Sequence, residues 1–412
     1  MQCSKCGFCQ PTCPTWLVSG LEHEVARGRN QLIRGVAEGK LLLDKSVKAP
    51  VFQCLMCNAC YSNCFPRIKT DEVIAAMRHH YIREFGQPAL QRYIFQDLLR
   101  KPKVLGIFLK MAAIGKKTHL SRLVHILRLL GWYGKNIVRA EGLLQKIPTT
   151  FLRERFASSE LAPEKSRGKV AYFVGCGINY ANPDVGYASV QLMAARGFTV
   201  QLMDNLCCGL PAYAYGDLDS VRWFAEKNLA LLAGVDADWI VTDCGSCTSF
   251  LHEYARFFPD HEERALAARR MAGKLKDMTA WLQETAQFAQ YIDGHGTQRV
   301  TYHDPCHLAH YLNEKTAPRQ VLGELPDVSY IELPEADFCC GGAGSYNIAH
   351  YDISMKIVQR KMRHVMSTQA DVVATACPAC VIQLSYGARK FNVPVQVKHI
   401  SQLVYEKTRV MK

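Results

Sequence analysis

Eighteen cysteines in four spaced groups constrain this chain more than any other feature of its sequence. Cys3, Cys6, Cys9 and Cys13 follow the spacing Cys-x2-Cys-x2-Cys-x3-Cys, and Cys54, Cys57, Cys60 and Cys64 repeat it. Thiols this close together suit a disulfide ladder poorly, and 412 residues is far longer than a disulfide-stapled secreted domain. No signal-like segment opens the chain, so the expectation is metal or cluster chemistry in a reducing compartment. The expected location is cytoplasmic, or peripheral on the cytoplasmic face of the membrane.

The first run ends in Cys13-Pro14, as in bacterial ferredoxins that hold cubane 4Fe–4S clusters. Short spacings let one turn of chain wrap a cluster with three thiolates, while the fourth cysteine lies too far round and serves the other cluster of a pair. Cys3, Cys6, Cys9 and Cys64 are therefore expected on one cluster, and Cys54, Cys57, Cys60 and Cys13 on the second. In the second run Phe65 separates Cys64 from Pro66, a one-residue departure. Zinc is the competing reading, but it takes two Cys-x2-Cys pairs and leaves no use for four cysteines in a row. Between the runs, residues 29–43 show a helical pattern, so this region resembles the α-helical ferredoxins of respiratory dehydrogenases.

The remaining ten cysteines form an internal repeat. Cys176, Cys207-Cys208 and Cys244-x2-Cys247 are followed by Cys306, Cys339-Cys340 and Cys377-x2-Cys380, at offsets of 130, 132 and 133 residues. Three near-equal offsets indicate duplication of a domain. Strand-like runs (169–174, 239–242, 300–302, 371–375) precede cysteines in both copies, and helical patterns intervene at 219–233 and 351–366. The expected units are α/β with parallel sheets, and the cysteines lie just past strand ends. Vicinal cysteines cannot easily reach two corners of one tetrahedron, and they suit a cluster in which one sulfur bridges two irons. Gly209 and Gly341-Gly342 are expected to let backbone approach the inorganic core. A buried vicinal disulfide in each copy is the alternative, disfavoured because the whole pattern recurs.

Two ferredoxin runs ahead of this doubled pattern resemble the cysteine-rich (CCG) domain family. More narrowly, KCGFCQPTCPT (5–15), ARGRNQLI (26–33), HDPCHL (303–308) and CCGGAGSYN (339–347) resemble glycolate oxidase iron–sulfur subunits and their lactate-oxidising relatives. The resemblance implies an electron-transfer subunit. A partner flavoprotein carrying FAD would oxidise a 2-hydroxy acid, and this chain would relay electrons to a quinone or another carrier. It also implies noncubane 4Fe–4S clusters at Cys176, Cys207, Cys208, Cys244 and Cys247, and at Cys306, Cys339, Cys340, Cys377 and Cys380. Some relatives have lost cysteines from the second domain, which is complete here. That completeness keeps open a heterodisulfide reductase-like catalytic role, and a quinone-reducing module for an electron-transferring flavoprotein shares the architecture. No FAD fingerprint is present.

The fold class expected is α+β multidomain: a two-cluster ferredoxin over 1–90, a basic helical segment and linker over 91–168, and CCG domains over 169–298 and 299–412. Residues 91–150 carry 12 of the 50 Lys and Arg against only Asp97 and Glu141. Nucleic acid would be one use for such charge, but no recognition motif accompanies it. Residues 104–133 interleave apolar positions with Lys110, Lys116, Lys117, Arg122 and Arg128, a pattern that suits a partner subunit, internal packing or an anionic membrane surface. No apolar run is long enough to span a membrane. His303, Asp304 and His307 around Cys306 are expected to cap their loop, the alternative being that they tune the cluster or donate a proton to a substrate sulfur. Arg27 and Arg29 read equally as a solvated helix start or as partners for carboxylates.

Overall fold

The structure, a computed structural model, describes residues 3–117, 141–144, 146–156, 158–285 and 298–409. Its N-terminal part is helical, with short helices at Pro14–Ser19, Ala26–Ala37, Lys48–Phe52 and Ala59–Ser62 and a longer one at Thr70–Phe85. Asp71 and Glu72 in the first turn and Arg83 in the last complement the dipole of that longer helix, and Gly86 follows its end with φ +83°. The helix expected over 29–43 lies at Ala26–Ala37 and buries Ala26, Arg29, Asn30 and Ile33. The apolar residues Leu41 and Leu42, which suggested a longer helix, are exposed beyond it.

Two mostly parallel sheets follow. The first holds β1 (Glu160–Leu161), β2 (Lys169–Tyr172), β3 (Thr199–Leu202), β4 (Trp239–Thr242) and β5 (Leu275–Asp277), in the order β1-β3-β2-β4-β5 with only β1 antiparallel. The second holds β6 (Gln298–Tyr302), β7 (Val328–Ile331), β8 (Val372–Thr375) and β9 (Gln396–His399), ordered β7-β6-β8-β9 and all parallel. β2 and β6 each have the next strand on one side and the following one on the other. The chain thus reverses direction across the sheet between β2 and β4 and again between β6 and β8, the crevice where α/β folds build their sites. The architecture is α+β and multidomain.

Residues 151–168 do not behave as a polar linker. Phe151 and Leu152 are buried, and Glu160–Leu161 pairs with Val200 and Gln201 of β3. Burying two such side chains contributes about 1.5–3 kcal/mol each, which outweighs the polarity of the surrounding sequence.

The two sheets meet beside the cysteines. The Gly245 amide donates to the Ala376 carbonyl at 2.9 Å, and His399 Nε2 donates to the Asp243 carbonyl at 2.8 Å. A Cβ on Gly245 would stand 2.6 Å from Leu308 Cγ, so the approach of helices Gly245–His252 and Cys306–Tyr311 requires glycine there. The helical N-terminal part packs against both sheet domains. His79 Nδ1 donates to the Gly216 carbonyl at 2.8 Å, and the Tyr311 hydroxyl bonds Met56 O and Asp71 Oδ2, each at 3.1 Å.

In the basic segment, a helix covers Pro102–Lys117; Arg122, Arg128 and the Lys117 side chain lie outside the described residues. Lys110 pairs with Glu154 at 2.7 Å and sits over the Phe151 ring, and Lys116 donates to the Leu144 carbonyl. These two lysines hold the helix to its own domain. Val104, Ile107, Phe108 and Met111 form an exposed apolar row along it.

Candidate cluster-binding sites

Both N-terminal cysteine runs are curled by the same device. Lys5 and Gly7 in the first run, and Met56 and Asn58 at the matching places in the second, have φ between +52° and +89°. Left-handed residues at alternate positions turn the chain back on itself, so that sulfurs two and three residues apart converge. The cavity beside Cys3, Cys6 and Cys9 is also lined by Cys64, whereas Cys13 lines the cavity of Cys54, Cys57 and Cys60. Cys60 borders both, so the two cavities adjoin. Burial pushes the Cys57 thiol well up, and the neighbouring Cys306 charge adds to it, so this sulfur faces the second sheet domain.

Two arginines are buried beside Cys54 without a carboxylate. Arg29 donates to Pro50 O at 2.6 Å and Thr15 Oγ1 at 3.1 Å, and its Nη1 lies 3.9 Å from Cys13 Sγ. Burial opposes its charge, but the Cys54 and Cys13 sulfurs outweigh that and hold its pKa above the usual value. Arg78 donates to the carbonyls of Val51 and Cys54 and, across the domain boundary, of Ala214; burial lowers its pKa to about 10. Arg27, by contrast, pairs with Glu22 near the surface. The helical pattern could have placed Arg29 on the inner face with Ile33; nothing in the sequence around Arg78 marks it.

In both sheet domains the cysteines gather at the carboxyl ends of the central strands. Cys176 and Cys306 open the helices after β2 and β6, and Cys244 and Cys377 are the N-caps of the helices after β4 and β8. Cys176 and Cys207 sulfurs lie 3.9 Å apart, and Cys340 and Cys380 sulfurs 3.7 Å. Hydrogen bonds from Cys207 and then Cys247 pull the Cys208 thiol down to about 5. Gly209 and Gly341 are both left-handed (φ +91° and +82°), and their amides donate to Cys207 and Cys339 sulfurs at 3.5 and 3.4 Å. The two sites face each other, with Cys244 and Cys377 as hydrogen-bonding neighbours and Ser246 Oγ 3.6 Å from Cys377 Sγ.

The residues around Cys306 are not loop caps. Asp304 forms a buried ion pair with Arg319, and His307 bonds Ser246 of the first domain at 2.9 Å. His303 is fully buried, and among the described residues neither ring nitrogen meets a nitrogen or oxygen partner; what lies beside it are the Cys340 and Cys380 sulfurs. All eighteen cysteines are free. Five sulfurs gathered in each sheet domain, with amides donating to Cys207 and Cys339, and the arginines buried beside the ferredoxin cysteines suit anionic, thiolate-ligated inorganic groups.

A helical domain with two interleaved cysteine runs, joined to two facing cysteine-rich α/β domains, defines an iron–sulfur protein of the cysteine-rich-domain class. Residues 1–68 match the 4Fe-4S dicluster domain family, and residues 170–252 and 300–385 match the Cysteine-rich domain family. The chain is 29% identical to the probable glycolate oxidase iron-sulfur subunit of Bacillus subtilis, over 98% of this chain and 93% of that one. It is 31% identical to lactate utilization protein A of Geobacillus kaustophilus, over 57% of this chain and 98% of that one. A crystal structure of a hypothetical protein from Helicobacter pylori shares the fold (TM-score 0.52, 10% identity, 92% of this chain and 67% of that one). The chain belongs to the family of CCG-domain iron–sulfur proteins that holds the glycolate oxidase and lactate utilization subunits.

Proposed function

We infer that this chain is the electron-relaying subunit of a flavin-dependent 2-hydroxyacid dehydrogenase complex, receiving electrons from an FAD-bearing partner and delivering them to a quinone or another carrier. Cys3, Cys6, Cys9 and Cys64 would hold one cubane cluster, and Cys54, Cys57, Cys60 and Cys13 the other. The five cysteines of each sheet domain would hold one further cluster, of noncubane type. Thiolate-ligated iron clusters transfer single electrons over roughly −700 to +450 mV, which suits a relay fed by a two-electron flavin. The observation that carries this reading is the unbroken series of sulfur sites. Cys60 borders both ferredoxin cavities, Cys57 and Cys306 share one packed cluster, and Cys377 adjoins Cys244. The protein's part is to hold these thiols convergent and close to one another.

The test is anaerobic purification with the flavoprotein partner, followed by addition of a 2-hydroxy acid. About 16 irons per chain are expected from two cubanes and two further four-iron sites, bleached by substrate only when the flavoprotein is present. A saturated preparation with about eight irons would remove the second half of the relay. Disulfide reduction by the chain without a flavoprotein would replace this function with the reductase-like one.

The exposed row Val104, Ile107, Phe108 and Met111, on a helix with lysines and no acidic residue, supports peripheral contact with an anionic membrane. No helix among the described residues is long and apolar enough to cross one. Ile107→Asp with Phe108→Asp should lower recovery on anionic vesicles about tenfold or more, since each side chain contributes on the order of 1.5 kcal/mol when buried. Unchanged vesicle binding would show that this row is not the membrane contact.

A further inference from the structure

The two sheet domains enter their sites in the same register, and among the positions where they differ one exchanges a phenyl ring for an imidazole. The amides of Phe173 and His303 make the same bond, to the carbonyls of Val241 and Ala374, each at 2.9 Å. Each residue follows its central strand and precedes its first cysteine by three positions. Both side chains are fully buried. In the first domain this place is filled by a benzyl group and in the second by an imidazole.

Burying an imidazole in the place of a phenyl ring leaves an N–H and a lone pair to be satisfied. A buried polar group without a partner costs on the order of 1–3 kcal/mol, and among the described residues His303 has no nitrogen or oxygen partner at either ring nitrogen. What it does have is sulfur: a ring nitrogen of His303 and the sulfurs of Cys340 and Cys380 all lie within 4.8 Å of one another. The two sulfurs are 3.7 Å apart, close to the separation of two thiolates on one tetrahedral metal with bonds of about 2.3 Å. A second substitution accompanies the first. Where Asn228 of the first domain bonds the Cys207 carbonyl, the second has the buried Lys361, whose ammonium donates to the carbonyls of Glu335 and Ala336.

We propose that His303 is a nitrogen ligand in the second cysteine-rich site, sharing one metal atom with Cys340 and Cys380, so that this site is mixed sulfur–nitrogen while the first is sulfur only. This goes beyond the electron-relay reading and needs only that the second site binds its metal group. The imidazole adds a neutral donor without removing a thiolate, and the positive charge of the buried Lys361 beside Cys340 and Cys339 favours the reduced state of this site. The second site is therefore the more easily reduced of the pair, and it is the one that adjoins Cys57.

The test uses the complete holoprotein, purified anaerobically and reduced to a paramagnetic state. Pulsed EPR of protein grown on 15N-histidine should show one strongly coupled histidine nitrogen that has the 14N pattern in unlabelled protein. That coupling should vanish in His303→Phe, which copies the first domain, with iron content retained. It should persist in His307→Asn. Absence of a strongly coupled histidine nitrogen in the wild-type protein would overturn the proposal without recourse to any variant. Persistence of the coupling in His303→Phe, or its loss in His307→Asn alone, would overturn it as well. A chain that binds iron and relays electrons normally while showing no histidine coupling leaves the proposed function standing and removes only this ligand.

Discussion

Cys13→Ser is expected to disable the ferredoxin site of the later cysteine run and to spare the site of its own sequence neighbours. Cys13 Sγ lines the cavity of Cys54, Cys57 and Cys60, forty residues away, and is buried against Thr15 and Arg29. A three-thiolate remainder beside two buried guanidinium groups has one iron without its protein ligand. The expected outcome is loss of up to about four irons per chain, with the EPR signal of the Cys3, Cys6, Cys9 and Cys64 site preserved. Because the damaged site lies between that one and Cys306, substrate-driven reduction of the sheet-domain sites should fall by the largest factor of any single substitution considered. Loss of the signal from the first run, with the second intact, would reverse the ligand grouping.

Arg29→Gln should lower the potential of the same site without emptying it. A unit charge at 4 Å is worth about 4 kcal/mol at an effective dielectric of 20, and Arg29 Nη1 lies 3.9 Å from Cys13 Sγ. With the added electron spread over several irons, about half of that reaches the redox couple. The shift is then roughly 80 mV downward for one electron. Arg29→Lys keeps the charge but loses the forked donation to Pro50 and Thr15, so it should recover most of the potential and less of the stability. Equal potentials in Arg29→Gln and the wild type would mean that Arg78 and the backbone amides alone compensate the site.

The cysteine spacings carried most of the architecture, because wrapping one inorganic group with three thiolates is a local property of chain curvature. Left-handed residues recur at matching places in both runs, and the strand-then-cysteine order recurs in both sheet domains. Duplication was equally legible, since offsets of 130 to 133 residues survive whatever fills the loops. The segment 151–168 reads as a linker by composition, whereas the structure buries its first two residues and pairs Glu160–Leu161 with β3. Most of its charges face water while Phe151 and Leu152 are buried and Arg153 reaches inward to the Met203 and Asn205 carbonyls, and composition averages over that difference.

The sequence alone determined that this chain has two ferredoxin runs and two five-cysteine domains, because each signature is written in residues that are neighbours or near-neighbours. Only the tertiary structure decided what those sites see. It set Arg29 and Arg78 against Cys54, turned Cys57 toward Cys306, and laid Cys377 against Cys244. It also left His303, among the described residues, without a nitrogen or oxygen partner at the place of Phe173. Charge compensation, the order of the sites and the nitrogen beside the sulfurs all depend on contacts between segments far apart in the chain. Burial in a low-dielectric interior gives those contacts their strength, and spacing along the chain does not encode it.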